Sequence, residues 1–252
     1  MNNRIVFVIL IASSVTFGCG GGSSQGAAGT SGTSGASGTA SLRVLNASQD
    51  VNSVDVIVGG DTVVNGDAYP TCVFEVCQTL SGYVQAQSGG VSFALEDSLK
   101  PSQNFVPSQF QKLKLASNTQ NTFVLSGPPS ENVNDPDTGY LFVDDSVPAA
   151  NSVKIRIVNV DPRNPTVSAF ILPNGVMPSG AAPVSNLAIG TASNYITLPP
   201  GSYTVWFVGN FGVLGPVPNM SWGPTTYSAN QNFSVYLMQQ IDSSRAVILA
   251  DN

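Results

Sequence analysis

The sequence predicts an all-β protein made of two tandem antiparallel β-sandwiches, and three observations carry that prediction. From Ser41 onward, short apolar runs alternate with polar residues at period two, as half-buried strands do. Gly, Pro and Asn punctuate these runs, and no long apolar stripe at helical period interrupts them. The pattern of Ser41 to Val58, SLRVLNASQDVNSVDVIV, returns at Val153 to Ile171 as VKIRIVNVDPRNPTVSAFI.

Composition bounds the chemistry. The chain has 252 residues, 42% of them hydrophobic and 10% charged. Charge is far below the usual quarter of a soluble domain, so the surface must be built from Ser, Thr, Asn, Gln and Gly. The formal net charge is -6 and the basic residues are scattered singly, which argues against nucleic-acid binding. There is no histidine. That removes the commonest general base, the commonest metal ligand and every Ser-His-Asp or Cys-His arrangement. Carboxylate chemistry stays open, but the balance is against an enzyme, and no cofactor is expected.

Residues 1–18 read as an export signal. Arg4 supplies the positive region, and Ile5 to Ala12 is an unbroken apolar run too short for a typical membrane span. Thr16-Phe17-Gly18-Cys19 resembles a lipobox, which would lipidate Cys19; the alternative is an ordinary secretory signal with an incidental cysteine. Gly20 to Ala40 holds no charge and nothing larger than Gln, so 19–40 reads as a disordered tether spanning about 25 Å. A lipidated cysteine before a tether is the layout of a surface lipoprotein. Gly20 in place of Asp after the cysteine implies, by resemblance to such lipoproteins, anchorage in the outer membrane.

The repeats are expected at 41–147 and 150–252, with a short linker in Asp145 to Ala150. In the first, Leu42 and Val44 alternate before a turn and Val54, Val56 and Val58 after it. Gly59-Gly60-Asp61 reads as a turn, and Gly82 to Ala86 with Val91 to Leu95 reads as a hairpin around Ser88-Gly89-Gly90. Phe110 to Leu115, Asn121 to Ser126 and Tyr140 to Val143 give further strands. The second repeat lays onto the first with order and spacing kept: Arg43 to Asn46 on Arg156 to Asn159, Tyr83 on Tyr195, Asn121 to Leu125 on Phe233 to Leu237, Tyr140 to Asp144 on Val247 to Asp251.

Leu42-Arg43-Val44-Leu45-Asn46-Ala47-Ser48-Gln49-Asp50 with Val54-Asp55-Val56 resembles the opening signature of domain-of-unknown-function family 4397 (DUF4397). Tyr195 to Val205, YITLPPGSYTV, is similar to a later motif of that family. The resemblance implies a tandem of Ig-like or transthyretin-like sandwiches on the cell envelope and no established activity. The motifs also make sense without chemistry. Pro199-Pro200-Gly201 turns the chain, Tyr195 and Tyr203 bury rings while their hydroxyls find partners, and Asn46, Ser48 and Asp50 stabilise turns through nearby backbone. Laid on the second repeat, Ser48 and Asp55 are replaced, the latter by Ser168.

Four groups of residues invite chemistry. Cys72 and Cys77, in CVFEVC, are expected to form a disulfide in an oxidising compartment. Asp135 and Asp137 in NVNDPDTG have oxygen ligands of the kind calcium takes, and are equally ordinary turn residues. Asp144 and Asp145 are paired acids that a hydrolase would need. Phe211, Met220 and Trp222 lie in a Gly- and Pro-rich stretch, as a candidate ligand-binding face or as cover for the second core. The expected function is a non-enzymatic envelope lipoprotein, held to the membrane by its N-terminal lipid, that binds or scaffolds an extracytoplasmic protein or glycan. The alternatives are a carbohydrate-binding or adhesive module and, behind it, an acid-dependent hydrolase.

Overall fold

Why the chain forms sheets and little else follows from its alternation, and a computed structural model describes residues 38–48, 51, 53–68, 72–73, 76–77, 82–106, 108–127, 137–144, 147–148, 150–209, 220–240 and 243–251. In the first half the strands are β1 (Thr39–Ala47), β2 (Ser53–Val58), β3 (Asp61–Ala68), β4 (Cys72–Val73), β5 (Val76–Cys77), β6 (Val84–Gln87), β7 (Gly89–Asp97), β8 (Lys100–Asn104), β9 (Lys112–Leu115), β10 (Gln120–Ser126) and β11 (Thr138–Asp144). In the second they are β12 (Val153–Asn159), β13 (Thr166–Pro173), β14 (Val184–Ala188), β15 (Thr191–Ala192), β16 (Ile196–Leu198), β17 (Gly201–Gly209), β18 (Met220–Tyr227), β19 (Gln231–Gln240) and β20 (Ser243–Ala250). A single 3-10 turn, Ser108–Phe110, is the one helical piece among the described residues.

Each half makes two main sheets, and the first adds the small β4-β5 ribbon. The first has β11-β10-β1-β6 facing β3-β2-β7-β8, with β9 also on β7. The second has β20-β19-β12-β15, with β16 also on β12, facing β14-β13-β17-β18. The shared strands keep the same order; β4, β5 and β8 are peculiar to the first half and β15 to the second. Leu42, Val54, Val56, Leu95 and Phe123 meet between the first pair of sheets; Ile155, Ile157, Ala169, Phe207 and Leu237 meet between the second. Each of these side chains larger than Ala169, removed from water, contributes on the order of 1.5–3 kcal/mol.

The all-β sandwich fold is as expected, but its sheets are mixed and not antiparallel throughout. β1 runs parallel to β10, pairing Arg43 with Thr122, and β12 runs parallel to β19, pairing Arg156 with Ser234. A parallel neighbour requires a long crossover. Here the opposite sheet of each sandwich supplies it, and side-chain alternation carries no record of strand direction. The hairpin expected around Ser88-Gly89-Gly90 is also different. β6 pairs with β1 and β7 with β2, so the chain changes sheets at Ser88. β16 and β17 repeat the move around Pro199-Pro200. Of the expected Gly59-Gly60-Asp61 turn, Gly59 and Gly60 make a two-residue hairpin turn at positive φ (67° and 99°), as such hairpins require, and Asp61 already belongs to β3.

The sandwiches lie within one compact unit, Ala36–Asn252, and share a third core. Leu45, Ala47, Val124 and Phe142 of the first meet Val158, Tyr236, Met238, Val247 and Leu249 of the second. β1 and β12 are therefore buried on both faces, not half-buried. Their alternate residues serve two different cores, which is why they read as nearly continuous apolar runs.

Candidate functional site

The densest polar arrangement lies at the edge of this third core, where two arginines interrupt two apolar strands. Arg43 follows Leu42 on β1, and Arg156 occupies the matching place on β12; both point away from their own core, on the face of Leu45 and Val158. Each reaches across to the other sandwich. Arg43 Nη2 donates to Asp251 Oδ1 at 2.5 Å, and its Nη1 to the Ala250 carbonyl. Arg156 Nη2 donates to Asp144 Oδ1, and its Nη1 to the Val143 carbonyl at 2.7 Å.

Each aspartate is held from its own side. Thr122 Oγ1 and Tyr83 Oη donate to Asp144 Oδ2 at 2.6 and 2.7 Å. Ser234 Oγ and Tyr195 Oη donate to Asp251 Oδ2, both at 2.7 Å. Arg43 Nε donates to Thr122 and Arg156 Nε to Ser234. The guanidinium carbons sit 4.6 Å over the Tyr83 ring and 4.9 Å over the Tyr195 ring, within cation–π range. The two halves thus exchange arginines around an approximate twofold relation, and none of the four charged residues is more than 5% exposed.

Burial opposes both arginine charges, but the acidic groups around them, with Tyr236 and Asp144 foremost, hold both guanidiniums above their ordinary range. Burial pushes the Asp144 carboxyl up, while Arg43 and Arg156 pull it down. Burial and then the Asp144 charge push the Tyr83 phenol up. Tyr236 breaks the symmetry, standing where the first half has Val124. Its hydroxyl is buried among these groups without a hydrogen-bond partner. Chemically the cluster is a clamp: each arginine finds its carboxylate across the interface, and all four groups are buried.

The motif residues are structural too. Asn46 accepts the Ser48 N–H and donates to the Val51 carbonyl; Asn159 accepts the Asp161 N–H and donates to the Asn164 carbonyl. Ser48, replaced by Asp161, turns out to be compensated. Ser48 Oγ donates to Asp137 Oδ1 at 3.0 Å, whereas in the second half Ser244 donates to Asp161. Donor and acceptor have changed places at matching positions. Asp55 accepts the N–H of Gly66, and Ser168 accepts that of Asn186; both partners stand at positive φ (68° and 52°) where the neighbouring edge strand bulges.

Of the residues singled out from sequence, Asp137 is spent on Ser48, while Asp135 and Asp145 lie outside the described residues. Asp144 is inside the clamp. The backbone register sets Cys72 opposite Cys77 on β4 and β5. Cys19 and Phe211 lie outside the described residues. Met220 is on β18 opposite Phe207, and Trp222, opposite Val205, is half-buried against the second core. Sequence reasoning passed over Arg43, Arg156, Tyr83, Tyr195 and Asp251 as a site. The signal was present: charged residues at matching places in otherwise apolar strands of both repeats.

Geometry alone defines the class, a β-sandwich protein whose halves are locked by a reciprocal buried Arg–Asp clamp. The chain belongs to the family described as a domain of unknown function (DUF4397), whose model matches residues 40–170. The match takes in the whole first sandwich and runs on through β12 into β13. No curated protein matches the chain.

Proposed function

We propose that the protein is a non-enzymatic envelope lipoprotein, anchored at the outer membrane through Cys19, that presents two clamped sandwiches to an extracytoplasmic protein or glycan partner. One observation carries the reading: the groups that most resemble a reaction centre, Asp144 with its arginines and tyrosine, are buried and consumed in joining the halves. A fixed spacing between two exposed sandwiches suits scaffolding. The exchanged Ser48–Asp137 and Asp161–Ser244 pairs support descent of both halves from one unit.

Intact-mass analysis of the membrane-purified chain tests the anchorage. The expected species begins at an acylated Cys19 and lacks two hydrogens until reduction, because Cys72 and Cys77 are joined. An unacylated chain beginning elsewhere sinks the lipoprotein. In-envelope crosslinking from exposed positions on each sandwich, such as Leu99 and Met177, tests the partner. The absence of any specific crosslinked protein or glycan from either face overturns the binding role.

A further inference from the structure

The outer sheets of the two sandwiches, alike in strand order, differ in what they carry. On the first, β2 and β7 pair Asp55 with Glu96 and Ile57 with Ala94. At the matching places on the second, β13 and β17 pair Ser168 with Val208 and Phe170 with Trp206. An acidic and aliphatic face has become an uncharged aromatic one. The connection above it has changed as well. The Gly59-Gly60 turn between β2 and β3 is replaced by the segment from Asn174 to Pro183, between β13 and β14. With the sheet this segment forms an open cleft of about 340 Å³, lined by Phe170, Val208, Pro178 and Ala182 with Ser168, Ser179 and Gly180.

We propose that this cleft is a binding site for a neutral sugar residue. Its volume falls in the range of small-ligand sites, which pair apolar walls with a few placed polar groups. Phe170, 7% exposed, is the one aromatic side chain of the lining, and the part of its ring that it still presents is what the C–H face of a pyranose ring packs against. Ser168 already accepts the Asn186 N–H at 3.2 Å, which leaves its own O–H for donation to a ligand hydroxyl. Ser179 provides a second hydroxyl. None of the described residues that line it is charged, so a sugar acid or sugar phosphate would lose water without gaining a counter-charge. Among the described residues, the first sandwich has a two-residue turn where this segment stands and Ile57 where Phe170 stands.

The proposal rests on the reading of the chain as a binding protein and names the class of ligand. The test is a fluorescence titration of the full chain carrying Trp222→Phe, so that Trp206, on the sheet face below the cleft, reports alone. The probes are glucose, galactose, mannose and N-acetylglucosamine, with glucuronic acid as the charged control. At least one neutral sugar is expected to give a saturable change, and glucuronic acid none. Ala182→Phe, which fills the cleft from the exposed segment, should weaken binding at least tenfold without moving the thermal midpoint. Ser179→Phe repeats the test should that variant fold poorly. A flat response to every neutral sugar overturns the site, as does saturation that both filling variants leave intact. Either result leaves the envelope partner to be decided by crosslinking, so the two ideas fail separately.

Discussion

At the residue scale, exchanged donor and acceptor pairs make the sharpest claims. Ser48→Asp sets a second carboxylate against Asp137 and should cost about 1–3 kcal/mol, the penalty of a buried polar group without a partner. Adding Asp137→Ser rebuilds the Asp161–Ser244 arrangement and should recover most of the loss in chemical denaturation. Failure to recover would show that the two turns are not equivalent. The tyrosines make a pH claim. Burial pushes Tyr236 and Tyr227 up to about 12. The unfolded phenol ionises near 10. The folded protein therefore keeps protons that the unfolded chain releases between about pH 10 and pH 12. This contribution is whole below pH 10 and is lost as pH rises through 12. Thermal midpoints should fall across that window, with phenolate absorbance of the native protein lagging that of the denatured one.

At the element scale, Gly190 is a point where a side chain of one sandwich packs against the backbone of the other. It follows β14 at φ 74°, and a Cβ there would lie 2.3 Å from the Tyr140 ring on β11. Gly190→Ala should cost about 1–3 kcal/mol through overpacking and the unfavourable backbone region. Tyr140→Ala in the same chain should cancel the steric part, which a double-mutant cycle reads directly. A wild-type-like Gly190→Ala would mean that β11 yields freely. The edges of the clamp show how elements are matched. β11 and β20 are edge strands, and each offers a carbonyl, from Val143 and Ala250, to the opposite arginine. Edges that would otherwise invite strand addition are partly capped by the partner sandwich.

At the scale of the whole molecule, the clamp decides whether two sandwiches behave as one body. Arg43 joins the first strand of the fold to the residue after its last, Asp251, while Arg156 joins across the linker to Asp144. The Val147 carbonyl, accepting from Lys154 Nζ and Asn232 Nδ2, pins that linker to the second sandwich. Removing one partner of a buried pair leaves its charge uncompensated at about 3–5 kcal/mol. Arg156→Met should therefore lower stability by that amount and split one calorimetric transition into two. A variant that still melts as one unit near the wild-type midpoint would show that the apolar third core suffices alone.

Strand positions were legible from Leu42 and Val54 onward because period-two alternation is written locally, as was the echo of Arg43, Tyr83 and Asp144 in Arg156, Tyr195 and Asp251. The absence of histidine and of a basic patch was legible from composition. Direction and partnership were not. Nothing in the residues of β1 says that β10 runs beside it in parallel, or that β6 and β7 part at Ser88, because alternation names a face and not a neighbour. The site was half legible. The repeated charged residues stood in plain view, but a charge in an apolar strand reads equally as a surface position or a catalytic group. The sequence alone determined an all-β chain with an internal echo. Only the tertiary structure decided that the two copies meet face to face, and with that contact the echoed arginines became each other's counter-charge partners. A buried charge takes its meaning from what the fold sets opposite it, and that lies in the other half of the chain.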